Sequence, residues 1–515
     1  MNHLFIRSDA TPTMGTGHVM RCIALAQSWK KRGGLVTFIT HCPYLHILKR
    51  IESEGFFLIQ MGKIYPSAQD VKKTLKIIEN CLSLESNDLK SHQWIVLDGY
   101  HFTSDYQKTI TEEGIKLLVI DDYNHLDCYH ADIILNQNIG SHHFAYTCSQ
   151  STKKLLGTKY VMLRSEFLTN KNIKPISDKA KNILITMGGS DPDNTTLKIL
   201  KAIDGIDDPD FNFKIIVGPG NPNLESLKKA SQTRHEHIYF IENADMPELL
   251  SWADLCITAG GSTCWELCFS GVPFLIIIIA ENQLNSALRL AEEGAAIILG
   301  KKESLIPDET RRCILRTAEN IKERQLLKKS GAKLVDGKGA KRIIRQMLVG
   351  EMVIRPADGN DAKLLFEWAN EKAVRHSSFN PDPIPWEGHL EWLNQKLKDE
   401  TSQIFIVENS SKDPVGQIRF EKIDGSHKIS YSLDEKFRGL GLGKPLLKIG
   451  LQTIQTKLQE PSIIQGFVKK NNTASKISFE KCGFVLIKNE DHISKALDCI
   501  VYQLELTPKN SLAKT

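Results

Sequence analysis

Short apolar runs and helical hydrophobic patterns alternate along the first two thirds of the chain. His3–Ile6, Leu35–Thr40, Trp94–Leu97, Lys116–Ile120 and Ile133–Leu135 read as strands, with helical patterns between them. Such alternation predicts a parallel sheet covered by helices, because parallel neighbours need a crossover to join them. A second series repeats the design, with strands at Asn182–Met187, Lys214–Val217, His237–Ile241, Leu255–Thr258 and Pro273–Ile279. Two α/β units in tandem create a cleft between them. Their boundary falls near Thr169–Lys179, where Asn, Lys, Pro, Ser and Asp follow in close succession.

The pattern changes beyond a second boundary near Gly350. Amphipathic stretches around Asp361–Asn370 and Glu387–Asp399 precede strand-like runs at Ser402–Glu408, Val415–Lys422 and His427–Leu433. A glycine loop, a helix from Gly443 to about Leu458, a strand Ile463–Val468 and a final helix and strand complete the chain. The expected division is therefore residues 1–170, 180–348 and 352–507. The sequence shows no low-complexity tract and no repeat with a solenoid period.

Length agrees with this division, since single cores seldom grow beyond roughly 250 residues and the chain has 515. A net charge of +5 suits phosphate-bearing substrates but forms no dense basic stripe, which sets nucleic-acid binding aside. The start Met1–Arg7 lacks the features of a secretion signal. The most apolar run, Val272 to Ala280, is far shorter than the roughly 20 residues that span a bilayer and contains Pro273, so it reads as a buried strand and no membrane partner is expected. Eleven cysteines without paired C-x-x-C spacing argue for reduced thiols and against a structural zinc site. The expected setting is cytoplasmic.

The most informative segment is Gly15-Thr16-Gly17-His18-Val19-Met20-Arg21-Cys22, which follows the first strand and opens a helix. Glycines let backbone approach a ligand, and the unpaired N–H groups of a first helical turn favour negative charge, so a diphosphate is a natural occupant with His18 beside it. Asp98-Gly99-Tyr100 lies just past a strand's carboxyl end, where open parallel sheets form binding crevices; Asp98 and Tyr100 can orient a sugar. Gly188-Gly189-Ser190 repeats the strand-to-helix glycine turn as a second anion cradle. Ala259-Gly260-Gly261-Ser262-Thr263 does so again, with Glu266 one turn inside the helix and placed to accept ribose hydroxyls. Asn282 and Gln283 follow the apolar strand and offer amides to the sugar. Arg21 serves either the diphosphate or a local carboxylate.

Taken singly, each turn could be structural. In this order, over residues 1 to about 345, they resemble the UDP-sugar hydrolases of pseudaminic acid biosynthesis, relatives of the two-lobed GT-B glycosyltransferases. The resemblance rests on G-x-G-H-x-M-R-C at 15–22, G-G-S-T-x-W-E-L at 260–267 and the N-Q pair at 282–283. It implies two Rossmann-like lobes of GT-B type and inverting hydrolysis of a UDP-2,4-diacetamido-2,4,6-trideoxy sugar. His18 takes the place of the catalytic histidine, Gly188–Ser190 that of the diphosphate cradle, and Ala259–Thr263 with Glu266 that of the nucleotide clamp. An imidazole suits general-base work on water, and helix-terminal amides suit a departing diphosphate. The bland alternative for His18 is a hydrogen bond to phosphate.

In the last unit, Arg438-Gly439-Leu440-Gly441-Leu442-Gly443-Lys444 follows a strand and opens a helix, so successive amides can wrap a pyrophosphate. Asn471-Asn472-Thr473-Ala474-Ser475 and Phe479-Glu480-Lys481-Cys482-Gly483-Phe484 come after the next strand, at the spacing of a helix closed by glycine. This arrangement resembles the α+β GNAT acetyltransferases over roughly 352–507. The resemblance implies acetyl-CoA as co-substrate, held by Arg438, Gly439, Gly441, Gly443, Lys444 and Asn471, and acetyl transfer to an amine, here the 4-amino group of the preceding UDP-sugar. Many relatives carry a tyrosine at position 479 as proton donor; this chain has Phe479, which leaves Ser475 and Glu421 as candidates. Two rival functions are a glycosyltransferase using the same UDP-sugar and a nucleotide-sugar sensor without turnover. Cys264 and Cys268 share a helix face and read as core, and His142-His143 as solvent-exposed with no metal partners.

Overall fold

The structure is a computed structural model, which describes residues 3–12, 14–62, 69–83, 93–169, 174–218, 220–231, 237–242, 244–350, 352–409, 412–487 and 499–509. Positions 170–173 of the expected linker therefore lie outside the described residues. By contact density the chain divides into two units, Met1–Ile344 and Arg345–Thr515.

The first unit contains two parallel sheets. One is seven-stranded, comprising β1 (His3–Ser8), β2 (Leu35–Thr40), β3 (Phe57–Gln60), β4 (Trp94–Asp98), β5 (Lys116–Ile120), β6 (Ile133–Asn136) and β7 (Lys153–Leu156), in the order β3-β2-β1-β4-β5-β6-β7. The other is six-stranded, comprising β8 (Asn182–Thr186), β9 (Asn212–Ile216), β10 (Ile238–Ile241), β11 (Leu255–Ala259), β12 (Phe274–Ile278) and β13 (Ile297–Lys301), in the order β10-β9-β8-β11-β12-β13. Helices cover both faces, so central strands such as β1 and β12 are buried along their whole length, as the unbroken apolar run of β12 requires. In the second sheet, Ile183, Ile185, Phe213 and Ile215 pack against one helical layer, while Leu184, Cys256, Cys264 and Cys268 pack in another.

The strands that the hydrophobic pattern does not mark are sheet edges. β3, β7 and β13 are bordered on one side only and are partly exposed, Phe57 by 60%. An edge strand needs no continuous apolar run, which removes the signal.

Each parallel sheet reverses its winding once, between β1 and β4 and between β8 and β11. Such switch points open a crevice beyond the strands' carboxyl ends. The loops carrying His18, Asp98, Gly188–Ser190 and Ala259–Thr263 leave those four strands. The helix Gly339–Leu348 starts against the first lobe: a Cβ on Gly339 would lie 2.0 Å from the Val161 carbonyl oxygen.

The second unit holds a mixed seven-stranded sheet in the order β14-β15-β16-β17-β18-β20-β19, from β14 (Val353–Pro356), β15 (Ser402–Glu408), β16 (Pro414–Ile423), β17 (Ser426–Leu433), β18 (Ser462–Lys469), β19 (Val485–Ile487) and β20 (Cys499–Leu506). The unmarked strands are again the edges, β14 and the three-residue β19. β17 and β18 are the parallel pair, joined over His427–Ile429 and Ile464–Gly466, after which they part. The helix Gly443–Gln455 packs Leu446, Leu447 and Leu451 into the core with Phe420, Ile429 and Phe479.

The contact at Gly339 yields a stability test. Gly339→Ala must push the Val161 backbone aside, and the expected loss is about 1–3 kcal/mol. A chemical denaturation curve of the chain measures it; the exposed Gly388→Ala, whose Cβ meets nothing within 4 Å, is the control.

Candidate active site

The loop before the first long helix is set by its own backbone. The Gly15 N–H donates to the Thr11 carbonyl at 2.8 Å, and Gly15 has a φ of +72°, a conformation that glycine adopts without strain. The helix Gly17–Lys30 then places His18 and Arg21 three residues apart on one face. Opposite them stand acids from adjacent parallel strands: Asp98 ends β4, and Asp122 lies two residues beyond β5.

Arg21 joins the two acids. Its Nε and Nη2 donate to Asp98 at 2.7 Å each, and its Nη1 donates to both Asp122 oxygens at 2.8 and 2.9 Å. His18 Nδ1 lies 2.7 Å from Asp98 Oδ1. Burial alone would raise the Asp98 carboxyl, yet the Arg21 charge and His18 hold it well below the usual carboxylate range. An ionised Asp98 only accepts, so Nδ1 carries the hydrogen and Nε2 is left as the ring's basic atom. Tyr100 sits edge-on to His18 with ring centroids 4.9 Å apart, and its phenol donates to Asp122 at 2.5 Å. Burial and the Asp122 charge push that phenol far above its ordinary range, so it is fixed as a donor.

The second lobe faces this group across a cleft of about 1060 Å³. Its two glycine turns differ in one respect that bears on anion binding. At the first, Asp191 closes the helix Thr195–Ile203 itself, accepting from the Thr195 and Thr196 amides at 2.7 and 2.9 Å. A carboxylate already occupies that helix end, so what the Gly188–Ser190 turn can offer is loop backbone. At the second, the helix Thr263–Ser270 begins at Ser262 with no side-chain cap, which leaves its positive end to a ligand.

Several contacts cross the cleft. A Cβ on Gly189 would come within 2.9 Å of Thr16 Oγ1, and one on Gly17 would meet Ser262 Oγ at 4.0 Å, so the three glycine loops converge. Arg164 Nη2 donates to Glu266 Oε1 at 3.0 Å. Burial pushes the Glu266 carboxyl up while the Arg164 charge opposes it. Asn282 Nδ2 donates to the Tyr100 phenol at 3.2 Å.

The sequence-predicted residues Gly15, Gly17, His18, Arg21, Tyr100, Gly188 to Ser190, Ala259 to Thr263, Glu266, Asn282 and Gln283 all border this one cleft, with Asp98 buried directly behind His18. One has a different use from the one expected. Gln283 Oε1 accepts from the Gly260 and Ile279 amides at 3.1 Å each, which ties the glycine turn to the strand beside it. Of the alternatives open for Arg21, the structure shows local carboxylates. Asp122 and Arg164 escape the sequence reading. Asp122 had a signal, the same position past a strand end that marks Asp98; Arg164 had none.

In the second unit, Gly439 and Gly441 have φ of +76° and +72°, and the helix Gly443–Gln455 begins after Leu442, which cannot cap it. This cradle fits a diphosphate such as that of acetyl-CoA. Lys444 is exposed beside it. Arg438, expected to add charge there, instead donates to the Leu433 carbonyl at 2.9 and 3.0 Å and pairs with Glu371. Asn471 is exposed, and its neighbour Asn472 caps the next helix through the Ser475 amide. A separate cavity of about 580 Å³ is bordered by Arg375, Arg419, Lys428 and Lys469, with Trp392 beneath Arg419, and by no carboxylate among the described residues.

Residues 182–347 match the glycosyltransferase family 28 C-terminal domain, and residues 351–485 match the acetyltransferase (GNAT) domain. The chain thus joins a unit of two parallel α/β lobes, the second matching the glycosyltransferase family 28 C-terminal domain, to a unit that matches the acetyltransferase (GNAT) domain. Along 93% of its length it is 27% identical to an uncharacterized protein, MJ1062, of Methanocaldococcus jannaschii, of which it covers 96%. It is similar to the spore coat polysaccharide biosynthesis protein SpsG of Bacillus subtilis, 28% identical over 66% of this chain and 96% of that one. It is also similar to the UDP-2,4-diacetamido-2,4,6-trideoxy-beta-L-altropyranose hydrolase of Campylobacter jejuni, 25% identical over 56% of this chain and 97% of that one. MurG of Acinetobacter baumannii superposes with a TM-score of 0.47 at 18% identity, over 67% of this chain and 99% of that one. No helix among the described residues is long and apolar enough to cross a membrane.

The Arg21 bridge has a measurable consequence. Arg21→Met leaves the fully buried Asp98, and the partly buried Asp122 beside it, without their counter-charge, and the expected loss at neutral pH is about 3–5 kcal/mol, carried by Asp98. Unpaired buried carboxylates protonate more readily, so the deficit relative to wild type should shrink as pH falls. Denaturation midpoints of both proteins at pH 7.5 and about pH 5 check the sign.

Proposed function

We propose that the two-lobed unit hydrolyses a UDP-2,4-diacetamido-2,4,6-trideoxy sugar to UDP and free sugar in pseudaminic acid biosynthesis, and that the GNAT domain acetylates the 4-amino group of the preceding UDP-sugar. The observation that carries the first half is the His18–Asp98 pair opening onto a cleft whose far wall is an uncapped helix end. The name of the Campylobacter jejuni relative supports the choice of substrate.

In this reading the diphosphate lies at the Ser262 turn and against the loop amides of Gly188–Ser190, while Glu266 accepts from the ribose. His18 Nε2 takes a proton from water as that water bonds to the anomeric carbon and the bond to UDP breaks. Attack on the face opposite UDP inverts the anomeric centre. Asp98 holds the imidazole and balances the charge it acquires, and the helix amides stabilise the leaving diphosphate.

For the second half, acetyl-CoA supplies the thioester when bound at the Gly439–Gly443 cradle. The cationic cavity beside β17 suits an acceptor bearing negative charge, as a UDP-sugar does, and disfavours a polycation. A cytosolic setting belongs to this reading, because both substrates are made there.

The test supplies the purified chain with UDP-4-amino-4,6-dideoxy-N-acetyl-altrosamine and acetyl-CoA and follows thiol, UDP and free sugar by mass spectrometry. Wild type should release all three. His18→Asn should lower UDP release by about 10²–10⁴-fold while acetylation continues. Hydrolysis that survives the substitution removes His18 as base, and sugar transfer to an added acceptor without free sugar would favour a glycosyltransferase.

A further inference from the structure

The GNAT site poses a chemical problem at position 479, where phenylalanine has no proton to give. The Phe479 ring is 3% exposed, stacked on Tyr502 with centroids 5.7 Å apart, and its Cζ lies 2.5 Å from where a Cβ on Gly466 would sit. The other nearby groups are occupied. Glu421 pairs with Lys396 at 3.2 Å and lies near Arg419, so its carboxylate is already engaged by cations. The Tyr502 phenol donates to Glu480 at 2.7 Å, and the Cys482 thiol donates to the Lys444 carbonyl.

Tyr431 is different. It lies on β17 two residues beyond Ile429, the last to pair with β18, and so stands where the parallel strands part. Its side chain borders the cationic cavity together with Ser475 and Phe479. Its phenol reaches Ser475 Oγ at 3.4 Å and lies 3.4 Å from a Cβ built on Gly443, the residue that begins the helix after the glycine loop. Its ring meets Phe479 edge-on at 5.8 Å.

We propose that Tyr431 is the proton donor of the acetyl transfer, taking the role that position 479 cannot fill. The proposal rests on the acetyltransferase reading. Tyr431 Oη gives its proton to sulfur as the thioester C–S bond breaks and the C–N bond to the acceptor amine forms. The phenolate then regains a proton from the acylated nitrogen through the Ser475 hydroxyl and solvent. Burial raises the Tyr431 phenol above its ordinary range, which keeps it protonated between turnovers.

The experiment compares wild type, Tyr431→Phe and Tyr431→3-fluorotyrosine, with kinetics on the UDP-4-amino sugar and calorimetric titration of acetyl-CoA. Tyr431→Phe should lower kcat by about 10²-fold while the Kd for acetyl-CoA stays within about two-fold. Fluorination lowers the phenol's pKa with little change of shape, so the alkaline limb of kcat should move to lower pH. A kcat retained within about three-fold in Tyr431→Phe, or an alkaline limb that fluorination leaves in place, overturns the proposal. Loss of kcat matched by loss of acetyl-CoA affinity overturns it too, since that marks a packing role. Wild type that binds no acetyl-CoA overturns the acetyltransferase reading itself, and this proposal with it.

Discussion

The arrangement of the first site depends on one guanidinium. Parallel pairing of β4 and β5 brings Asp98 and Asp122 to neighbouring strand ends, where two like charges, the first fully buried and the second partly, would repel each other. Arg21 reaches both because it lies one helical turn beyond His18, and the same turn aims the imidazole at Asp98. Neutralising the acids and selecting the histidine tautomer are therefore a single structural act. Without Arg21, Asp98 would be driven toward its protonated form and could no longer specify which ring nitrogen is basic.

The second lobe solves a complementary problem. Glycine turns after β8 and β11 look alike in sequence, and both begin helices. Asp191 fills one helix end with its own carboxylate, whereas Ser262 leaves the other uncapped. The uncapped helix end thus lies at one of two similar positions, facing the loop that precedes His18. In the second unit the same logic recurs: Leu442 cannot cap the helix after the glycine loop, while Asn472 caps the next one.

Much of this was legible in the sequence because it rests on local rules. Buried central strands announce themselves as apolar runs, and glycine turns at strand ends mark the crevices. What escaped has a physical reason in each case. β3, β7, β13, β14 and β19 are edges, where half-burial erases the hydrophobic run. Asp122 follows the rule that identified Asp98, and its importance emerges only once β4 and β5 are known to be neighbours. The engagement of Arg438 with Leu433 and Glu371, and of Gln283 with Gly260, depends on side-chain directions that composition and spacing do not encode.

The bond from Asn282 to Tyr100 gives the lobes a shared fate. It is the first link of an unbroken polar chain that passes from the second lobe through Tyr100, Asp122, Arg21 and Asp98 to the imidazole. Losing that first link would untie the phenol from the second lobe. The network that fixes the imidazole is therefore continuous with both halves of the molecule, and the setting of one ring is coupled to how the halves meet.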